Sequence, residues 1–162
     1  MFFWFIGTAI MTVGLVFRDP QFDYRLLIVG SVLPISDGIF GGARWLHSLT
    51  VCVGLLAVLM LATSGRKPVR KMLLGLPIGM ILHLVFDGAW NNTEVFWWPF
   101  FGVGFDDSPL PVIDRGIWSL VLELIGVGLC LWLWRHNDLG QRARRRRFLH
   151  DGHLDAVPAR FG

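Results

Sequence analysis

Long apolar stretches alternate with short polar and charged segments along this chain of 162 residues. A helix rises about 1.5 Å per residue, so about 20 apolar residues cross the roughly 30 Å hydrocarbon layer of a bilayer. The second stretch is interrupted by Pro34, which membrane helices tolerate where the backbone lines a cavity. The pattern predicts an all-α fold, a polytopic membrane bundle of about five transmembrane helices, at residues 2–17, 26–40, 46–64, 72–90 and 117–134.

Basic residues collect in the segments that share one side when five helices are threaded through a membrane. They are Arg18, Arg25, Arg66, Lys67, Arg70, Lys71 and the arginines of 142–147. Short basic loops stay in the cytoplasm, which predicts an external amino terminus and a cytoplasmic carboxyl terminus. Residues 1–135 are expected to form the transmembrane domain and residues 136–162 a flexible basic tail.

Composition agrees with the membrane class, since 54% of the residues are hydrophobic and the mean hydropathy is +0.55. The net charge is +3, but the positive residues lie beside apolar stretches. Topology explains that placement, so no nucleic-acid partner is expected. Cys52 and Cys130 lie inside apolar stretches without a CxxC spacing, and we interpret them as core residues.

The most informative polar residues lie in the fourth apolar stretch. Four positions separate His83 from Asp87, so on a helix the imidazole and the carboxylate share one face. Ionisable groups inside a membrane helix are costly, and they usually mark a functional site that faces the bundle interior. The spacing suits two ligands of one metal ion.

Further polar residues fall on the same side of the predicted membrane. Asp37 lies near the outer end of the second stretch and His47 at the outer start of the third. Glu123, in the fifth stretch, reaches a depth similar to that of His83. Imidazoles and carboxylates together form a nitrogen and oxygen ligand set suited to zinc, manganese or iron, with zinc preferred. We therefore predict a metal site with the ligands Asp37, His47, His83 and Asp87.

Four short motifs occur in the order and spacing of a known family. They are Leu-Pro-Ile-Ser-Asp at 33–37, Arg-Trp-Leu-His-Ser-Leu at 44–49, His-Leu-Val-Phe-Asp at 83–87 and Phe-Trp-Trp-Pro-Phe at 96–100. Residues 26–101 thereby resemble the YdjM-like, LexA-binding inner-membrane proteins, which are described as metal-dependent membrane hydrolases. Their pattern is PDxD, HRGxTHS, HxxxD and a tryptophan-proline segment. Ile35 replaces the first aspartate of PDxD, and Gly42 or Ala43 the earlier histidine, so the resemblance carries over Asp37, His47, His83 and Asp87.

Such a site supports hydrolysis, because a divalent ion activates water and polarises a phosphoryl or carbonyl oxygen. Glu123 is a candidate general base or further ligand, and Arg44 a candidate for holding a phosphate or carboxylate of the substrate. A site below the outer surface is most easily reached by a lipid. The predicted function is metal-dependent hydrolysis of a lipid-linked ester or phosphoester on the extracytoplasmic face.

Two other classes stay open at this point. In a non-catalytic membrane partner or scaffold, the polar cluster would only fix the packing of helices, and the replacements at Ile35 and Gly42 favour that reading. In an ion or proton pathway, polar residues would continue across the whole membrane. The cytoplasmic half offers only Ser31, Thr63 and Ser64, which argues against a pathway.

Overall fold

The computed structural model describes residues 1–17, 19, 22–105 and 115–154, and every regular element among them is helical. The predicted all-α class is therefore confirmed. The helices are α1 (Phe2–Phe17), α2 (Tyr24–Val32), α3 (Leu49–Ala62), α4 (Lys67–Leu73), α5 (Gly75–Asp87), α6 (Thr93–Phe96), α7 (Ile117–His136) and α8 (Arg142–Asp151). Three 3₁₀ helices lie between them, at Leu33–Phe40, Trp45–His47 and Ala89–Asn91.

Two helical segments are long and apolar enough to cross a membrane, Lys67–Asp87 with 21 residues and Ile117–His136 with 20. The helices α1 and α3 are apolar but shorter. Among the predicted spans, the second differs most from the structure. Its α-helix ends at Val32, and a 3₁₀ helix that contains Pro34 follows. Proline has no backbone N–H to donate, so it interrupts the regular hydrogen bonding. The arrangement with five spans stays a prediction.

Glycines allow α2 and α5 to pack with their backbones in close contact. A Cβ added at Gly79 would lie 2.3 Å from the carbonyl oxygen of Leu27, and one at Gly30 would lie 2.1 Å from that of Leu76. Gly75 and Gly79 form a GxxxG pattern, which brings helix backbones together in membrane proteins. The contact places the turn of α5 that carries His83 directly beside the end of α2.

A second close contact joins α1 to α7. A Cβ at Gly126 would lie 2.1 Å from the backbone nitrogen of Trp4. One turn earlier, the carboxylate of Glu123 accepts hydrogen bonds from the backbone N–H groups of Phe2, Phe3 and Trp4, at 3.0, 3.2 and 3.2 Å. Those N–H groups have no partner within the helix, and a negative charge there also complements the helix dipole. Glu123 therefore caps α1.

The described part of the expected flexible tail, 136–154, contains α8 and a turn that packs on the bundle. The backbone N–H of Tyr24 donates to the carbonyl of Gly152 at 2.9 Å, and Leu154 is buried in the core. Arg25 donates to the carbonyls of Leu149 and His150 while it pairs with Asp23. Burial opposes the ionisation of Asp23, but its bonds to Arg25 outweigh that effect and lower its pKa below the usual value.

These contacts gather the basic segments at one end of the bundle. Lys71 pairs with Asp19 at 3.0 Å, and Arg25 contacts the end of α8. From Lys71 the chain runs about 24 Å along α4 and α5 before it reaches Asp87, at about 1.5 Å per residue. The charge pattern of the sequence thus corresponds to a bundle with a basic end and, at the far end of α5, an acidic one.

Replacing Gly79 with alanine tests the contact between α2 and α5. The added Cβ meets backbone atoms that cannot move aside, so the free energy of unfolding should fall by about 1–3 kcal/mol. Thermal unfolding in detergent would measure the change. Gly128→Ala is the matched control, because Gly128 also lies inside a helix and a Cβ there meets nothing within 4 Å. Equal stability of the two variants would contradict the proposed packing.

Candidate metal centre

Asp37 organises the loop that carries His47. One carboxylate oxygen, Oδ2, accepts hydrogen bonds from the backbone N–H groups of Arg44 and Leu46 and from Nδ1 of His47, each at 3.0 Å. Since an ionised carboxylate can only accept, Nδ1 of His47 carries the proton. The other ring nitrogen, Nε2, then has a free lone pair, as a metal ligand requires.

His83 is fixed in the same way by a backbone carbonyl. Its Nδ1 lies 2.7 Å from the carbonyl oxygen of Ser31, which the close packing of α2 on α5 brings within reach. A carbonyl accepts only, so Nδ1 carries the proton here too and Nε2 is the lone-pair atom. The ring of Phe5 packs on the imidazole with its centroid 3.9 Å away, which excludes water from that face.

The two Nε2 atoms converge on the carboxylate of Asp87. Asp87 Oδ2 lies 3.6 Å from Nε2 of His47 and 3.9 Å from Nε2 of His83, and all three atoms lie within 4.8 Å of one another. None of the three has a hydrogen-bond partner, although all are buried. Ligands about 2.1 Å from a tetrahedral ion are about 3.4 Å apart, so one ion fits between these atoms after a small contraction.

Arg115 is a further member of the centre, which the sequence did not single out. Its Nη2 donates to the backbone carbonyl of Asp87 and, at 3.1 Å, to Asp87 Oδ1. Its Nη1 is buried without a partner. The available signal was electrostatic, because a buried Asp87 needs a positive neighbour and Arg115 lies just before the fifth apolar stretch, on the same side.

The other predicted residues lie around this group or away from it. Asp37 contacts the ligand His47 and is not one of the three converging groups. The guanidinium of Arg44 lies over the ring of Phe105, 5.8 Å from its centroid, and only its backbone N–H contacts Asp37. The carboxylate of Glu123 caps α1 through both oxygens. A role for Glu123 as base or ligand therefore competes with three hydrogen bonds.

The predicted tryptophan-proline segment covers the loop that carries His47. The hydroxyl of Ser48 donates to the carbonyl of Trp98 at 2.9 Å, and Phe96 packs on the small core around Cys52. The rings of Trp98 and Trp45 both contact Phe105, at centroid distances of 5.7 and 5.8 Å. Aromatic side chains thus surround the loop on the outside, while Asp37 holds it from the inside.

The arrangement matches what a metal ion needs from a protein. Two nitrogens and one oxygen point at a common volume, and each imidazole is oriented by a bond on its other nitrogen. Three protein ligands leave one position of a tetrahedral ion for water or substrate, which is typical of catalytic zinc sites. Comparison with known protein families, with curated proteins and with solved structures gave no match.

Proposed function

We propose that this protein is a membrane-embedded, metal-dependent hydrolase of the bacterial cytoplasmic membrane. Its substrate is a lipid-linked ester or phosphoester reached from the extracytoplasmic face. The observation that carries the proposal is the set of three buried, unpartnered ligand atoms on His47, His83 and Asp87. Kinship with the YdjM-like hydrolases belongs to the same proposal, because these positions and Asp37 are the ones that match that family's motifs.

The chain's own residues account for the binding and the orientation. His47, His83 and Asp87 would hold the ion, which is zinc in this proposal and manganese or iron in its variants. When bound, a divalent ion lowers the pKa of a coordinated water and polarises the ester oxygen. Hydrolysis would join the water oxygen to phosphorus or carbon, break the ester bond and transfer one proton of the water to the departing oxygen.

The apolar surface around the His47 loop supports access from the membrane. Large apolar side chains on both sides of the His47 loop are exposed, including Ile39 at 84%, Phe40 at 58% and Trp45 at 47%. Phe100 and Phe101 extend this surface from the tryptophan-proline segment. Aromatic and aliphatic groups of this kind settle at the boundary between headgroups and acyl chains. A lipid lying there would present its headgroup linkage to the centre.

The basic end of the bundle supports the proposed orientation of the site. Short segments rich in lysine and arginine stay in the cytoplasm, and here Lys71, Arg25 and α8 lie together. Asp87 is at the opposite end of α5, about 24 Å away along the helix axis, at about 1.5 Å per residue. This supports a centre near the outer surface, which is where the proposed substrate would be met.

A non-catalytic scaffold is the alternative, and the bonds made by Asp37 and Arg115 favour it to a degree. They tie the His47 loop and the end of α7 to the rest of the bundle, as structural polar groups do. A structural network, however, satisfies its buried polar atoms, and leaving one unpaired costs about 1–3 kcal/mol. Three unpaired ligand atoms at one point favour the metal centre.

Metal content is the first test of the proposal. Protein purified in detergent should carry about one divalent ion per chain, and His83→Ala or His47→Ala should lose it, because two ligands hold an ion far more weakly than three. Elemental analysis by mass spectrometry measures both. His150→Ala is the control, since that imidazole is exposed and pairs only with Asp151. Wild-type protein that takes up no ion would remove the proposed mechanism.

Asp37→Asn tests how far the carboxylate orients His47. The variant keeps the size of the side chain but loses its charge, so the metal affinity should fall by about 10- to 100-fold. Competition with a chromophoric chelator would give the affinity. Hydrolytic activity, once a substrate is found, should fall in parallel. An unchanged affinity would mean that the backbone alone positions His47.

Glu123→Gln separates capping from catalysis. The neutral amide has one acceptor oxygen where the carboxylate has two, and it no longer complements the helix dipole, so the free energy of unfolding should fall by about 1–2 kcal/mol. Metal content should not change. Thermal unfolding and elemental analysis of the same sample distinguish the two effects. A loss of metal at full stability would instead support the role of ligand predicted from the sequence.

A further inference from the structure

One nitrogen of Arg115 is buried beside the centre without a partner. The two hydrogen bonds that Arg115 makes to Asp87 both use Nη2, which leaves the donors of Nη1 free. The two nitrogens belong to one rigid planar fork, so Nη1 lies within about 5.5 Å of Asp87 Oδ1. A free cationic donor therefore lies close to the point where the three ligand atoms meet.

A structural role for Arg115 explains only half of its guanidinium. Capping the last carbonyl of α5 and pairing with Asp87 account for Nη2. They give no reason for burying Nη1, because a buried donor without an acceptor is unfavourable and such groups are rare in folded proteins. The side chain as a whole is 25% exposed, so the buried Nη1 lies close to the surface of the bundle.

The charges of the centre indicate what kind of acceptor is missing. Among the described residues, Asp87 is the charged ligand, Asp37 bonds to the ligand His47, and Arg115 pairs with Asp87. Together these three side chains carry one net negative charge. A divalent ion between neutral imidazoles would change this to one net positive charge. A buried site with such an excess favours an anionic ligand. An anion that touches both the ion and Arg115 would neutralise the charge and satisfy Nη1.

We propose that Arg115 and the metal ion together bind a phosphoryl group, so that the substrate is a phosphoester. This inference rests on the metal centre of the proposed function and narrows its substrate class. One phosphoryl oxygen would bind the ion that His47, His83 and Asp87 hold, and a second would accept a hydrogen bond from Arg115 Nη1. A phosphoryl group offers several oxygens in different directions, and guanidinium groups are well suited to binding them.

In this proposal Arg115, and not Arg44, binds the phosphoryl group of the substrate. Arg44 was the sequence-based candidate, but its guanidinium lies over the ring of Phe105. A cation placed on an aromatic face is held there by the electrostatics of the ring. Arg115, in contrast, pairs directly with Asp87, which is one of the three proposed metal ligands. Arg115 thus lies at the centre, whereas Arg44 lies on the aromatic side chains around it.

Inorganic phosphate is the probe for this inference. Full-length protein in detergent is stripped with a chelator, reloaded with one equivalent of cobalt(II) and titrated with phosphate while the visible absorption of the cobalt is recorded. Phosphate should change the spectrum of the wild type in a saturable manner. Arg115→Gln should weaken that binding by about 10- to 100-fold, the effect of one lost charge-assisted hydrogen bond. Arg115→Lys, which keeps the charge without the fork, should fall between the two.

Matched variants and a second anion distinguish the outcomes. Arg135→Gln, at the exposed far end of α7, should bind phosphate like the wild type. Loss of phosphate binding in Arg44→Gln but not in Arg115→Gln would overturn the assignment. Acetate that binds as tightly as phosphate would overturn the phosphoryl class. Failure of the cobalt-loaded wild type to bind phosphate overturns the inference but leaves the metal centre, whereas failure to take up cobalt overturns the proposed function itself.

A labelling experiment on the wild type covers the case in which both Arg115 variants lose the metal. Phenylglyoxal modifies accessible guanidinium groups, and peptide mass spectrometry reports the modification of each arginine. In the cobalt-loaded protein, phosphate should protect Arg115 and leave Arg135 unprotected. Equal labelling of Arg115 with and without phosphate would overturn the inference independently of any substitution.

Discussion

The close contact between α2 and α5 is the constraint on which the centre depends. Gly30 and Gly79 have no side chain, so the two backbones meet at a distance that any Cβ would prevent. One turn beyond Gly79, this proximity lets the carbonyl of Ser31 accept a hydrogen bond from Nδ1–H of His83. The tautomer of the ligand is therefore set by helix packing. A chemical property of one atom follows from the absence of side chains at two other positions.

Asp87 connects the ends of three segments through a single carboxylate. Its Oδ1 and its backbone carbonyl accept hydrogen bonds from Arg115, while Oδ2 faces the two imidazoles. Desolvating a carboxylate is costly, and one ion pair repays only part of that cost. The burial of Oδ2 without a partner is the part of this cost that is not offset, and a cation bound to Oδ2 would offset it.

The sequence predicts the helical class, the spacing of His83 and Asp87 on one helical face, and the convergence of His47 with them, because each follows from periodicity or from the cost of polar groups in apolar helices. It could not distinguish Asp37 as a support for His47, since a carboxylate in either role has the same residue type. Glu123 was assigned by depth alone. Depth along a helix does not determine the direction of a side chain, and this one lies against the amino terminus of α1.

Arg115 shows most clearly what a pattern of single residues leaves out. As a sequence feature it is one basic residue before an apolar stretch, and that position is common at the ends of membrane helices. Its importance comes from a contact with a residue 28 positions earlier and from a nitrogen that this contact leaves free. An unsatisfied buried donor beside unsatisfied acceptors is unfavourable, and a cation and an anion bound together would satisfy both sets. The acceptors of His47, His83 and Asp87 therefore lie beside a donor of Arg115, and the proposed metal ion and phosphoryl group would occupy these two halves of one binding site.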